Sequence, residues 1–90
     1  MDELPTDRVQ ELGGEAQELS AELQVGKAGL SDGFVDEVDR QLAREDLVKL
    51  RVLRSAAAEN GPEATGEELA ERLDAHLIEV RGNTVVLYRD

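Results

Sequence analysis

The sequence predicts a compact α+β domain with element order α-β-α-β-α-β-β, its helices packed on a four-stranded mixed sheet. Three observations lead there. Apolar residues switch repeatedly between three-four spacing and strict alternation. Helix-start signals stand at Ser31 and Thr65. Gly82-Asn83 joins two β-rich segments as a two-residue hairpin loop would. Successive β-α-β units imply parallel pairing, and the closing hairpin adds an antiparallel pair.

Taken in order, residues 6–20 read as a helix with Thr6 as N-cap. Val9, Leu12, Ala16 and Leu19 share one face. Gly13-Gly14 in its middle costs roughly 2 kcal/mol relative to two alanines, so this helix depends on tertiary packing. "AELQV", residues 21–25, is a short alternating strand. After a glycine loop, Ser31 caps a second helix running to about Arg44, and Leu30 can staple onto Val35. Phe34, Val35, Val38 and Leu42 form its buried stripe. Residues 46–53 alternate, with Val48, Leu50 and Val52 on one side and Lys49 and Arg51 on the other. Residues 55–65 suggest a helical turn broken at Gly61-Pro62. Thr65 and Glu68 then read as a capping box before a stripe of Leu69, Ala70 and Leu73. In the last strand, Val85 and Leu87 face one side while Val86 and Tyr88 face the other. That strand belongs inside the sheet, and the first helix is the element left to cover its second side.

Ninety residues make one domain (1–90, core about 8–89) with a modest core. With one Phe, one Tyr and no Trp, that core is built from Leu, Val, Ile and Ala. The chain has no Cys, which excludes disulfides and thiolate metal sites. "MDELPTDRVQ" has neither a basic nor an apolar signal region, and no apolar run approaches the ~18 residues of a membrane span. The expectation is a cytoplasmic monomer with no membrane partner. The net charge is −11, which ordinarily argues against nucleic acid. The acids are spread along the whole chain, however, and the bases are eight Arg to two Lys. That pattern also suits a protein of a halophilic archaeon, working in molar salt where the Debye length falls to ~3 Å and charge repulsion is screened.

One of the two lysines stands in "LQVGKAGLSDG", residues 23–33. Glycines at a strand-to-helix junction can be no more than a tight turn. The same turn, lacking Cβ atoms and placed before a helix N-terminus, also lets a phosphate approach main-chain N–H groups. Lys27 adds a positive charge. This is no Walker loop, because Ala28 stands where Mg²⁺ would need a hydroxyl and the upstream Gly-x₄-Gly spacing is missing.

"LQVGKAGLSDG" before a helix, then "LVKLRV", then "VRGNTVVLYR", resembles the CRM domain of chloroplast RNA splicing and ribosome maturation proteins, including the bacterial YhbY-like proteins. The resemblance runs from about Arg8 to Arg89. It implies the same α-β-α-β-α-β-β order, a fold similar to the C-terminal domain of a bacterial translation initiation factor, and RNA binding through the loop and neighbouring basic surface. The family's loop maps onto Gly26, Lys27, Ala28 and Gly29. Its single-domain members are associated with the precursor of the large ribosomal subunit. Two departures stand out: "DRVQELGGEAQEL" keeps only Arg8 where the family helix is basic, and Asn83 replaces a frequent hairpin base.

The expected RNA contacts are therefore Gly26, Lys27, Ala28 and Gly29, with Lys49, Arg51 and Arg8 as secondary ones. Arg81 and Arg89, read as strand ends beside the hairpin, could extend them. The plain alternative for these bases is that they offset nearby carboxylates. Phe34 and Tyr88 fall on core stripes, so base stacking of the RRM kind is not expected. His76, the only histidine, has no Cys or second His with which to hold zinc. No acid pair stands out as a catalytic dyad. The expected protein performs no reaction and takes no cofactor, metal or small-molecule substrate. It binds ribosomal RNA during large-subunit assembly. The rival is an acidic protein-interaction module that keeps the fold without binding RNA.

Overall fold

The computed structural model describes residues 3–26 and 29–90, apart from the side chains of residues 54–60. Its elements are α1 (Thr6–Ala16), β1 (Leu23–Val25), α2 (Asp32–Glu45), β2 (Leu47–Val52), α3 (Arg54–Leu73), β3 (His76–Arg81) and β4 (Thr84–Tyr88), in the expected order. The sheet order is β1-β2-β4-β3. β1 and β2 are parallel, and β4 runs antiparallel to both its neighbours. The last strand thus lies inside the sheet, between β2 and β3.

That position follows from β4 itself, where Val85, Val86, Leu87 and Tyr88 are all buried. Alternation sends Val85 and Leu87 into one core, shared with Val38 and Leu42 of α2 and Leu69, Ala70 and Leu73 of α3. Val86 and Tyr88 enter a second core with Leu12 and Ala16 of α1 and Ile78 of β3. The result is three layers: α2 and α3, then the sheet, then α1. No described helix is long and apolar enough to cross a membrane.

Several local expectations shift. Ser31 caps α2 as expected, its Oγ accepting the Phe34 N–H at 3.2 Å. Thr6 is the first residue of α1 rather than its cap; Pro5 holds the cap position without a side-chain bond. α1 ends at Ala16, so Leu19 lies beyond the helix and is 40% exposed instead of buried. Thr65 is inside α3, not at its start. Its buried hydroxyl donates to the Gly61 carbonyl one turn back at 2.9 Å. The break falls at Gly61 (φ 77°, ψ 165°), a conformation reserved for glycine, and Pro62 suits the first position of the continuing segment. α3 is helical on both sides of this kink, so more of residues 55–65 is helix than the sequence suggests. A capping-box pattern misleads here because the proline has already supplied the start.

Two glycines make opposite predictions. A Cβ on buried Gly66 would stand 2.9 Å from a Val85 methyl and 3.0 Å from Leu77 Cδ1, pressing α3 off the sheet. Exposed Gly14, inside α1, faces open space. Gly66→Ala should lower stability by about 1–2 kcal/mol, overpacking outweighing helix propensity. Gly14→Ala should raise it by about 0.5–1 kcal/mol. Urea midpoints of the two variants check both signs.

Candidate nucleic-acid interface

The C-terminal ends of β1 and β2 and the start of β4 lie along one edge of the sheet, because β1 and β2 are parallel and β4 opposes them. Two bonds fix this edge. Leu53 N–H donates to the Val25 carbonyl at 3.0 Å, and Val52 N–H donates to the Asn83 carbonyl at 2.7 Å. The chain leaving β1, the end of β2 and the β3–β4 hairpin are thereby held together. α2 starts from the same edge.

Gly29 N–H donates to the Gly26 carbonyl at 3.0 Å, which brings the two glycines of the loop together. Gly29 takes φ +70°, which explains its glycine. Lys27 and Ala28 lie outside the described residues. Among the described residues, a Cβ on Gly26 or Gly29 would meet nothing within 4 Å, so both glycines face open space. The Gly29 amide is occupied within the turn, and Ser31 N–H donates to the Gly29 carbonyl at 3.1 Å. With Phe34 N–H on the Ser31 side chain, the helix-start donors left over are those of Asp32 and Gly33. The unoccupied main-chain donors at this helix start are therefore two α2 amides, since the Gly29 amide is already bonded. Both residues are exposed, though the Asp32 carboxylate shares the site.

Arg51 is exposed on β2, one residue before the edge, and among the described residues it is in no ion pair. Arg81 ends β3 beside the hairpin, 3.3 Å from Glu79 Oε1, with its side chain 67% exposed. These two arginines join the glycine turn. The other expected bases do not. Lys49 shares a strand face with Arg51, yet its Nζ donates to the Ala16 carbonyl at 3.3 Å and so caps the end of α1. The cleft it lines also carries Glu22, Gln41 and Glu45. Arg8 lies toward the opposite end of the sheet, 5.3 Å above the centroid of the Tyr88 ring. Its guanidinium donates to the Tyr88 hydroxyl at 3.4 Å and pairs with Glu11 and with Glu15 (3.8 Å). The Tyr88 hydrogen bond, then the glutamates, push its pKa above the ordinary arginine value.

Arg89 is also at the far end of β4, not beside the hairpin as the sequence suggested. Its side chain donates to the Leu73 carbonyl at 2.8 Å and the Asp39 carbonyl at 3.1 Å, and pairs with the Asp39 carboxylate at 2.8 Å. It ties α2 and α3 to the sheet. Tyr88 is buried and stacks on His76 with ring centroids 6.3 Å apart, so it is a core residue rather than a base platform. Among the described residues no group of three or more His, Cys, Asp or Glu is arranged to hold a metal ion.

An outward glycine turn, helix-start amides and exposed arginines on one sheet edge define a module suited to contacting a polyanion backbone. The chain belongs to the CRS1/YhbY (CRM) domain family, whose pattern its residues 4–89 match. It is 35% identical over 78 residues to Probable RNA-binding protein MJ0652 of Methanocaldococcus jannaschii, covering 87% of this chain and 58% of that protein. It is 30% identical over 79 residues to Probable RNA-binding protein YqeI of Bacillus subtilis, covering 88% of this chain and 80% of that one. The solution structure of Staphylococcus aureus protein SAV1595, described as a candidate RNA-binding protein, superposes with a TM-score of 0.73 at 27% identity. That match covers 98% of this chain and 90% of the other.

Arg51 and Arg89 separate an interface role from a structural one. Arg89→Ala should lower stability by about 1–3 kcal/mol through lost bonds to two helix carbonyls. Arg51→Ala should change it by less than about 0.5 kcal/mol. Thermal or urea unfolding of both variants tests the assignment.

Proposed function

We propose that this chain is an RNA-binding protein that grips RNA backbone at the edge formed by the glycine turn, the start of α2, Arg51 and the β3–β4 hairpin. The observation that carries the reading is the convergence there of an outward-facing turn and exposed arginines, in a chain whose net charge is −11. Lys27 follows Gly26 in sequence and supplies a further charge to the Gly26-Lys27-Ala28-Gly29 loop. Lys49 and Arg8, being held by α1 and its carboxylates, act as secondary contacts only if RNA displaces those bonds. Membership in the family, and relatives named as probable RNA-binding proteins, support RNA as the ligand.

The target in this reading is structured ribosomal RNA in a precursor of the large subunit, bound in the cytoplasm by a monomer during ribosome assembly. No reaction is performed. A saline cytosol would reconcile the acidic envelope with a polyanionic partner, since the Debye length is then only ~3 Å and more distant charges are largely screened. The second reading is a protein-interaction module. Leu19 favours it: among the described residues it is the exposed large hydrophobic, and it shares a groove with Leu47, Glu15, Glu18 and Glu45.

The two readings part on charge reversal and salt. Lys27→Glu should weaken binding to a large-subunit rRNA fragment at least about tenfold while leaving the unfolding midpoint unchanged. With three cations on phosphates, log affinity should fall against log salt with a slope near −2, at about 0.7 per contact. Fluorescence anisotropy across a salt series reads both. Unchanged affinity in the variant removes the loop from the site. Recovery of polypeptides without RNA, after cross-linking at native salt, favours the second reading.

A further inference from the structure

Strand register places four residues in one transverse row: Gln24 on β1, Arg51 on β2, Thr84 on β4 and Arg81 on β3. Each alternates with a neighbour buried or packed in the α2–α3 core: Val25, Leu50 and Val52, Val85, and Val80. All four therefore project from the opposite face, the one α1 covers elsewhere. α1 does not reach them. Its contacts end on the rows of Tyr88 and Val86, and Gln24, Arg51 and Arg81 are exposed while Thr84 is half-buried.

The charge pattern around this row is asymmetric. In a chain with 21 acids the row itself contains none. The next row on the same face brings Glu79 opposite Val86, with Glu22 beside Lys49 in their shared cleft. Two residues along a strand separate those rows, so the acid-free strip is about 7 Å wide, and four strands make it about 14 Å long. One side opens onto the glycine turn and hairpin; the other is bounded by carboxylates. A strip of that width accepts one phosphate backbone. A duplex would carry its second backbone over Glu22 and Glu79.

The side chains within the row also alternate, neutral then cationic. Arginines serve phosphates, whereas the Gln24 amide and the Thr84 hydroxyl can both donate and accept, as base edges require. Base edges are presented this way by unpaired RNA. No aromatic lies in the row, so recognition there does not use stacking.

We infer that the Gln24–Arg51–Thr84–Arg81 row is a track for an unpaired RNA segment, leading from the glycine turn across the sheet toward the hairpin. The inference rests on the RNA-binding reading and extends it to a ligand class and to two residues that reading does not use, Gln24 and Thr84. It assigns Glu79 a restraining role, since Glu79 holds Arg81 at 3.3 Å and borders the track.

The test uses a fluorescein-labelled, mixed-sequence single-stranded octaribonucleotide and the same strand annealed to its complement. The intact chain should bind the single strand at least about tenfold tighter than the duplex. Gln24→Ala combined with Arg81→Ala should cost about tenfold in affinity for the single strand and little for the duplex. Glu79→Gln should tighten single-strand binding by a few fold. Circular dichroism and urea midpoints matching the parent confirm that the fold is kept. Equal affinity for duplex and single strand overturns the track. So does unchanged binding in the double variant while Lys27→Glu still weakens it, and that result leaves the loop reading standing. Failure of the parent to bind the octamer in either form overturns the track, and failure to bind the large-subunit rRNA fragment as well overturns both.

Discussion

Everything in this domain depends on β4 having two buried faces. A strand with Val85, Val86, Leu87 and Tyr88 all removed from water cannot sit at an edge or under one layer. Burying those side chains is worth on the order of 1.5–3 kcal/mol each, and only flanking strands plus helices on both sides achieve it. The order β1-β2-β4-β3 and the return of α1 over the second face follow. α1 is short, with eleven residues, and its reach sets which part of that face stays open. The polar row of Gln24, Arg51, Thr84 and Arg81 is the part it leaves uncovered.

The same constraint sorts the basic residues. Bases near α1 are drawn into its support: Lys49 caps its last turn, and Arg8 lies over the Tyr88 ring among glutamates. Arg89, at the end of β4 away from the hairpin, joins two helices through their carbonyls. Among the described residues, Arg51 and Arg81, at the hairpin end, bond to no helix carbonyl. With so few cations in an acidic chain, position rather than number distinguishes the contacts available to a ligand. Both ends of the sheet carry arginine, but one end uses it for packing.

Much of the fold was legible because its signals were local. Ser31 and the stripe of Val38 and Leu42 mark α2 by capping and periodicity, and Gly82-Asn83 marks the hairpin. Val85 through Tyr88 announced a strand buried on both sides. What failed was also local in appearance but decided at a distance. Leu19 fits the α1 stripe by spacing, yet the helix stops at Ala16. Thr65 looks like a cap, yet Gly61 and Pro62 have already restarted the helix. In the site, the placement of Arg51 on the strand beside the one that leads into the glycine loop was readable from the β-α-β order, which implies parallel pairing. The occupation of Lys49 by a helix carbonyl was not, since that contact joins residues 33 apart in sequence. Nor was the row, because Gln24 and Thr84 become neighbours of the arginines only through strand register.

The most direct measurement is a titration of the ¹⁵N-labelled protein with the single-stranded octaribonucleotide at high potassium chloride, followed by amide chemical shifts. The largest changes are expected at Gly26, Gly29, Asp32, Gly33, Arg51, Arg81 and Gly82, with the α1 amides nearly unmoved. Changes centred on Leu19, Glu45 and Leu47 with a silent hairpin edge, or no changes at all, would contradict the account.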